Sequence, residues 1–206
     1  MIRQAYVVDD DAPVCASLQG LLSAASSALV RAFPSGDAFL AEMMALDPGV
    51  VILDVNMPGT SGLDVLARIG EAGLLDRLVP IVVTGQGSIA MAVRAMRAGA
   101  LDFLEKPYNR ATLLRFIEEG FRQIEEADTA QRRGQTAKEK LARLSARETD
   151  VLSGLIAGRP NKIIAYDLGI SSRTVEIYRA NLMDKLEVRS LSEALRIAFA
   201  AGLIGE

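Results

Sequence analysis

The chain contains no histidine. That absence excludes Ser-His-Asp and Cys-His nucleophilic sites, the usual histidine-bearing zinc sites, and any phosphohistidine carried by the protein itself. A phosphoryl group that passes through histidine must therefore come from a partner. Cysteine is nearly absent too: Cys15 stands alone, so an intrachain disulfide and a thiolate zinc cluster are excluded, and Cys15 reads as a buried structural thiol. No apolar run reaches the roughly 18 residues of a membrane span, and no charged-then-apolar segment follows Met1. Neither membrane insertion nor secretion is expected, and the expected compartment is the cytoplasm. No internal repeat or low-complexity tract is visible.

The 206 residues are 50% apolar and 24% charged, enough to bury the core of one large or two small domains. Charge is uneven. Residues 1–120 hold 9 Lys or Arg against 14 Asp or Glu, residues 121–140 hold 5 against 4, and residues 141–206 hold 9 against 8. So weak a contrast does not by itself indicate nucleic-acid binding, which depends on local clusters of cations.

Short apolar runs near 4–8, 28–33, 50–53, 79–83 and 101–104 alternate with helical patterns near 12–25, 36–45, 62–72, 87–98 and 110–125. Five such units predict a three-layer α/β domain with a five-stranded parallel sheet. The run at 28–33 alternates in polarity and suits an edge. The other four deliver chemistry at their carboxyl ends: Asp9-Asp10-Asp11, Asp54, Thr84, and Lys106-Pro107. In an open parallel sheet the ligand site lies at those ends, so these distant residues should meet in one acidic pocket.

Asp9, Asp10 and Asp54 would create a dense negative field, which suits a hard divalent ion such as Mg²⁺ held by carboxylates, waters and a phosphate oxygen. Asn56-Met57-Pro58-Gly59 forms a turn after Asp54 in which a backbone carbonyl can reach that ion, and Gly62 permits tight reversal before the next helix. Asp54 then fits an oxygen nucleophile toward a phosphoryl group, with Thr84 and Lys106 stabilising the developing charge. Taken singly, each residue could equally be a turn former or a surface side chain. Their joint order at four strand ends favours the pocket.

After Asn109 the helical pattern carries Leu113, Leu114, Ile117, Phe121 and Ile124, then dissolves into polar Gln131-Arg132-Arg133-Gly134-Gln135-Thr136. Residues 126–140 are the candidate linker, either flexible or a continuation of the helix. Beyond it the pattern is helical only. Ser145 caps a helix with Glu148 three residues on, and Gly158-Arg159-Pro160 ends it. A short helix spans about 161–168, Ser171 or Ser172 caps a longer one through Leu186, and a fourth begins near Ser190 and runs to Ala201-Gly202. Roughly 65 residues in four helices predict a helix-turn-helix unit with a supporting helix. A protein-interaction bundle is the alternative, but Lys162, Arg173, Arg179 and Lys185 favour DNA, supplying phosphate-neutralising charge and side chains for base edges. Val175, Leu182 and Leu186 are assigned to the core with Ile163, Ile164, Leu168 and Leu195 facing them. Arg173, Thr174, Glu176, Ile177, Arg179, Ala180 and Asn181 are assigned to the exposed face.

These motifs together, Val8-Asp9-Asp10, Asp54 with Met57-Pro58-Gly59, Thr84-Gly85 and Lys106-Pro107, resemble the receiver domain of two-component response regulators over residues 1–125. Asn161 to Ser171 followed by Arg173-Thr174-Val175-Glu176 resembles the LuxR-type DNA-binding core within residues 141–206, so the whole chain looks like the FixJ/NarL group. The resemblance implies a flavodoxin-like receiver followed by an all-α four-helix domain. It implies Asp54 as phosphoacceptor and Asp10, Asp54 and the Asn56 carbonyl as Mg²⁺ ligands, with Asp9 assisting. Thr84 and Lys106 become phosphate contacts, Thr84 and Phe103 a conformational switch, and the Lys106–Pro107 peptide cis. The family commonly dimerises on the face formed by the helix at 87–98, the strand at 101–104 and the following helix, where Ile89, Met91 and Met96 could supply apolar contact or simply pack in the core. The implied partners are a sensor histidine kinase, promoter DNA, a second copy of the chain and RNA polymerase. Tyr178 stands where many LuxR-type sequences carry histidine. Two rival readings remain, an aspartyl-phosphate phosphohydrolase and a DNA-binding protein with a silent receiver. Asn56 in place of a second aspartate argues against the first, and the complete pocket against the second.

Overall fold

A computed structural model describes residues 2–85 and 87–203, so the outermost expected domain limits, Met1 and Glu206, lie outside the described residues. The chain divides into two compact units between Ala127 and Asp128.

In the first unit, strands β1 (Gln4–Val8), β2 (Leu29–Phe33), β3 (Gly49–Asp54), β4 (Leu78–Thr84) and β5 (Asp102–Glu105) form one parallel sheet in the order β2-β1-β3-β4-β5. β3 and β4 are buried along their whole length, whereas β2 alternates and lies at the edge, as its polarity predicts. Helices α1 (Ala12–Ser26), α2 (Gly36–Glu42), α3 (Gly62–Glu71), α4 (Ile89–Arg97) and α5 (Arg110–Leu141) connect and follow the strands. Successive strand residues feed opposite faces. Tyr6, Val8, Val51 and Leu53 pack with Phe39, Val65, Leu66 and Ile69 of α2 and α3. Ala5, Val7, Val50 and Ile52 pack with Leu18 and Leu22 of α1 and with Leu113, Ile117 and Phe121 of α5.

The acidic triplet at the end of β1 divides its labour. Asp9 is buried, Asp10 is exposed, and Asp11 caps α1 by accepting from the Val14 N–H at 3.3 Å. The second expected helix is shorter than its pattern, with α2 giving way to a 3₁₀ turn at Met43–Ala45. At the start of α3, Gly62 serves a close approach, since a Cβ there would lie 2.1 Å from the Asp54 carbonyl oxygen. That contact forbids any side chain and seats α3 directly under the Asp54 loop.

The polar stretch at 131–136 is helical, part of the 32 residues of α5. Side chains one turn apart sustain it: Arg122 pairs with Glu126 at 3.0 Å, Arg132 with Asp128 at 2.9 Å, and Gln135 with Glu139 at 3.1 Å. In the second unit α6 (Ala146–Ile156), α7 (Asn161–Leu168), α8 (Ser172–Leu186) and α9 (Leu191–Ala200) surround a core of Val151, Leu155, Ile164, Val175, Leu182, Leu186 and Ala194. Two assigned core residues need correction. Ile163 is 47% exposed, because the short α7 turns Ile164 and Ala165 inward instead. Leu195 is only half-buried, and Ala194 and Ala198 take the core positions of α9.

Candidate functional site

Parallel pairing aligns the strand ends, with Leu53 beside Val8, Asp54 beside Val83, and Thr84 beside Glu105. One pocket therefore receives Asp9 just beyond β1, Asp54 ending β3, Thr84 ending β4 and Lys106 just beyond β5. Asp9 and Asp54 are 5% and 6% exposed, so two carboxylates have left bulk water side by side. Repulsion between them would be severe without a cation. Lys106 supplies it, with Nζ 2.9 Å from Asp9 Oδ2 and 2.8 Å from Asp54 Oδ1. The two remaining oxygens accept from main-chain N–H groups, Asp9 Oδ1 from Asp11 at 2.9 Å and Asp54 Oδ2 from Asn56 at 2.8 Å. Burial draws the Lys106 pKa down, but hydrogen bonds and charge from Asp54 and Asp9 together outweigh it and hold the ammonium above its ordinary value. The Lys106–Pro107 peptide is cis.

One ammonium cannot neutralise two buried anions. The donor set, carboxylate oxygens without nitrogen or sulfur ligands, fits a hard divalent ion that keeps part of its water shell. Among the described residues no cluster of three or more His, Cys, Asp or Glu is arranged around a metal position. Buried Asp9 and Asp54, with exposed Asp10 next to Asp9 in sequence, are the carboxylates that could hold such an ion.

Thr84 is fully buried. Its Oγ1 accepts from Asn56 Nδ2 at 3.2 Å, and its carbonyl accepts from the Lys106 N–H at 2.7 Å. The sequence offers the Asn56 carbonyl to a metal and leaves the role of its side chain open, because nothing local signals a side-chain contact 28 residues away. Phe103 is half-buried against the α3 and α4 side of the sheet, where a Cβ on Gly87 would lie 3.3 Å from its Cε1. Tyr108 escaped notice although an aromatic directly after Lys106-Pro107 is a local cue. Burial pushes its phenol pKa up, Lys106 lowers it, and Asp9 and Asp54 raise it, which puts the ring within electrostatic reach of the pocket. Cys15 is buried as expected and donates to the Asp9 carbonyl at 3.3 Å. Ile89 and Met96 on α4 are 87% and 48% exposed, with Val93 between them, whereas Met91 packs inward.

In the second unit Ser171 is the cap of α8, its hydroxyl accepting from the Thr174 N–H at 3.1 Å. Lys162 on α7 and Arg173, Glu176, Ile177, Ala180 and Asn181 on α8 are exposed. Thr174 and Arg179, assigned to the exposed face, are half-buried: Thr174 Oγ1 lies 2.8 Å from Ser171 Oγ, and Arg179 Nη1 donates to Asn161 Oδ1 at 2.8 Å. Lys185 donates to Glu148 Oε2 at 2.7 Å. Glu148 is 3% exposed and also accepts from the Ser145 N–H at 2.7 Å, so Lys185 anchors α8 to the capping box of α6. Tyr178 packs against the core and Tyr166 is exposed.

Residues 5–118 match the family described as response regulator receiver domain, and residues 142–198 match bacterial regulatory proteins of the luxR family. The chain is 43% identical over 202 residues to the transcriptional regulatory protein FixJ of Bradyrhizobium diazoefficiens, covering 98% of this chain and 97% of that protein. It is 36% identical over 192 residues to the response regulator protein TmoT of Ectopseudomonas mendocina, covering 93% and 86%. Among solved structures, the response regulator StyR aligns with a TM-score of 0.81 at 34% identity, covering 97% of this chain and 99% of that one. Full-length FixJ from B. japonicum aligns with a TM-score of 0.58 at 42% identity, covering 98% of each chain.

Proposed function

This chain belongs to the response-regulator family in which a receiver domain is joined to a LuxR-type DNA-binding domain, and from that premise we propose the chemistry and contacts that set its output. At the family level it is a phosphorylation-dependent transcription regulator with a histidine kinase and DNA as partners.

An Asp54 carboxylate oxygen attacks the phosphorus of the kinase phosphohistidine. The new O–P bond forms as the P–N bond breaks, and the electron pair departs on the imidazole nitrogen of the partner. Lys106 follows the charge from the carboxylates to one phosphoryl oxygen, while the Thr84 hydroxyl donates to another. Asp9, Asp10, Asp54 and the Asn56 carbonyl would hold Mg²⁺, which when bound supplies positive charge against the crowded oxygens. Small phosphodonors can replace the kinase, and slow self-dephosphorylation resets the receiver. The observation that carries this reading is the Lys106 bridge between two buried carboxylates at adjoining strand ends.

Phosphorylation biases two receiver states, read out through Thr84 and Phe103. Ile89, Val93 and Met96, one turn apart on α4, form the apolar stripe on which two phosphorylated receivers pair. Lys162, Arg173, Thr174, Glu176, Ile177, Arg179 and Asn181 face promoter DNA, with Arg173 and Lys162 best placed for phosphates and Glu176 for a cytosine amino group. Lys185 is left to the fold. RNA polymerase is a further candidate partner at the promoter.

The chemistry is tested by incubating the full chain with Mg²⁺ and acetyl phosphate and measuring intact mass. The wild type should gain one phosphoryl group and Asp54→Ala none. Unmodified wild type, or equal uptake by the variant, would displace Asp54 as acceptor.

A further inference from the structure

One hydrogen bond joins the first residue of α7 to the middle of α8: Arg179 Nη1 donates to Asn161 Oδ1 at 2.8 Å. We propose that Asn161 is a positioning residue for DNA binding, whose neutral amide oxygen aims the Arg179 guanidinium at DNA while leaving its positive charge whole. The inference rests on the proposed function, in which Arg179 faces promoter DNA. It adds Asn161, which acts through Arg179 and not on DNA itself.

The contact differs from the others by which cations tie segments of this unit together. Arg159 donates to Asp167 Oδ2 at 2.7 Å and Lys185 to Glu148 Oε2 at 2.7 Å, so each of those charges meets a carboxylate. Among the described residues no carboxylate stands within ion-pair distance of Arg179. Arginine has donors only, so the atom of Asn161 that faces it must be the amide oxygen. One N–H of the rigid fork is engaged there, and the remaining donors are left for DNA. Both side chains are half-buried, whereas Glu176, Ile177 and Ala180 around Arg179 on α8 are exposed. An arginine not held beforehand must be immobilised when DNA binds, which weakens binding roughly 2- to 10-fold for a side chain with so many rotamers. The neutrality of the acceptor matters equally. A carboxylate at 161 would hold the guanidinium in the same way but would oppose its charge and repel nearby phosphates. A tie that served only to hold α7 against α8 would lose nothing from an acidic residue, as the Lys185 contact with Glu148 illustrates.

The test measures fluorescence anisotropy of a labelled duplex, selected on the wild-type full chain from a random-sequence pool, at fixed salt after acetyl phosphate and Mg²⁺. A melting temperature is recorded for each protein. Asn161→Ala should bind roughly 2- to 10-fold more weakly than the wild type. Asn161→Asp keeps an oxygen acceptor for Arg179, so it should melt no lower than the wild type and yet bind more weakly. In an Arg179→Ala background Asn161→Ala should bring no further loss, because the group it positions is gone. Wild-type affinity in Asn161→Asp would reduce the contact to a tie between helices and overturn the proposal; that arm retains the bond and needs no destabilised variant to fold. Equal losses from Asn161→Ala with and without Arg179 would also overturn it, since Asn161 would then act on its own. Unchanged affinity in Arg179→Ala alone would remove Arg179 from the DNA face, and with it the reading on which the proposal rests. A pool that yields no duplex would overturn DNA binding altogether.

Discussion

At the scale of single residues the pocket is a charge problem solved by Lys106. Removing its ammonium, as in Lys106→Met, leaves Asp9 and Asp54 buried and mutually repelling. The partly exposed position of Lys106, 28% for its side chain, moderates the cost to roughly 1–3 kcal/mol of stability. A divalent ion should then compensate, so Mg²⁺ should raise the melting temperature of Lys106→Met by more than it raises that of the wild type. Equal Mg²⁺ effects in thermal melts would contradict the charge argument. Asp9, Asp54, Thr84 and Lys106 could be read from the sequence because each directly follows or ends an apolar strand run, and parallel strands bring such ends together. The Asn56 to Thr84 bond could not, since it depends on how the loop after β3 turns over β4, and no periodic pattern encodes that turn.

At the scale of elements, caps and ion pairs decide where helices begin and how they are held. Glu148 binds the Ser145 N–H at 2.7 Å and the Lys185 ammonium at 2.7 Å while nearly buried. The Lys185 hydrogen bond first, and the Ser145 backbone next, hold its carboxyl below the ordinary glutamate value. A depressed folded-state pKa contributes stability above the ordinary value that is lost as pH falls through the lowered one. Glu148→Gln should therefore destabilise the α6 to α9 unit by roughly 1–3 kcal/mol at neutral pH and flatten the acid limb of its unfolding transition. Parallel acid limbs for wild type and variant, followed by circular dichroism melts, would contradict this. On α8 the same contact separates two cations that sequence had grouped. Arg173→Ala should lower the slope of log affinity against log salt by about 1, whereas Lys185→Met should lower melting temperature and leave the slope intact. A lowered slope for Lys185→Met would return that residue to the DNA face. The caps at Ser145 and Ser171 were legible because capping is local. The inward turn of Ile164 rather than Ile163 was not, because in an eight-residue helix adjacent apolar positions fit the period equally well.

For the whole molecule, the change from alternating strands and helices to helices alone marked two kinds of fold in the sequence, and both appear, a five-stranded parallel sheet and a four-helix unit. The stretch around Gln131 to Thr136 resisted reading because polarity signals solvent exposure, not loss of helix; its hydrogen bonds one turn apart emerge only when α5 is laid out to Leu141. The proposed function couples the two units: phosphate on Asp54 is expected to change how well α8 holds DNA. A two-state coupling of ordinary size would change affinity roughly 5- to 150-fold. The direct measurement is promoter affinity of one preparation at fixed salt, before and after acetyl phosphate with Mg²⁺, beside Asp54→Ala treated identically. Tighter binding by the phosphorylated wild type and no change in the variant is the predicted result. Equal affinity after verified phosphoryl uptake would contradict it.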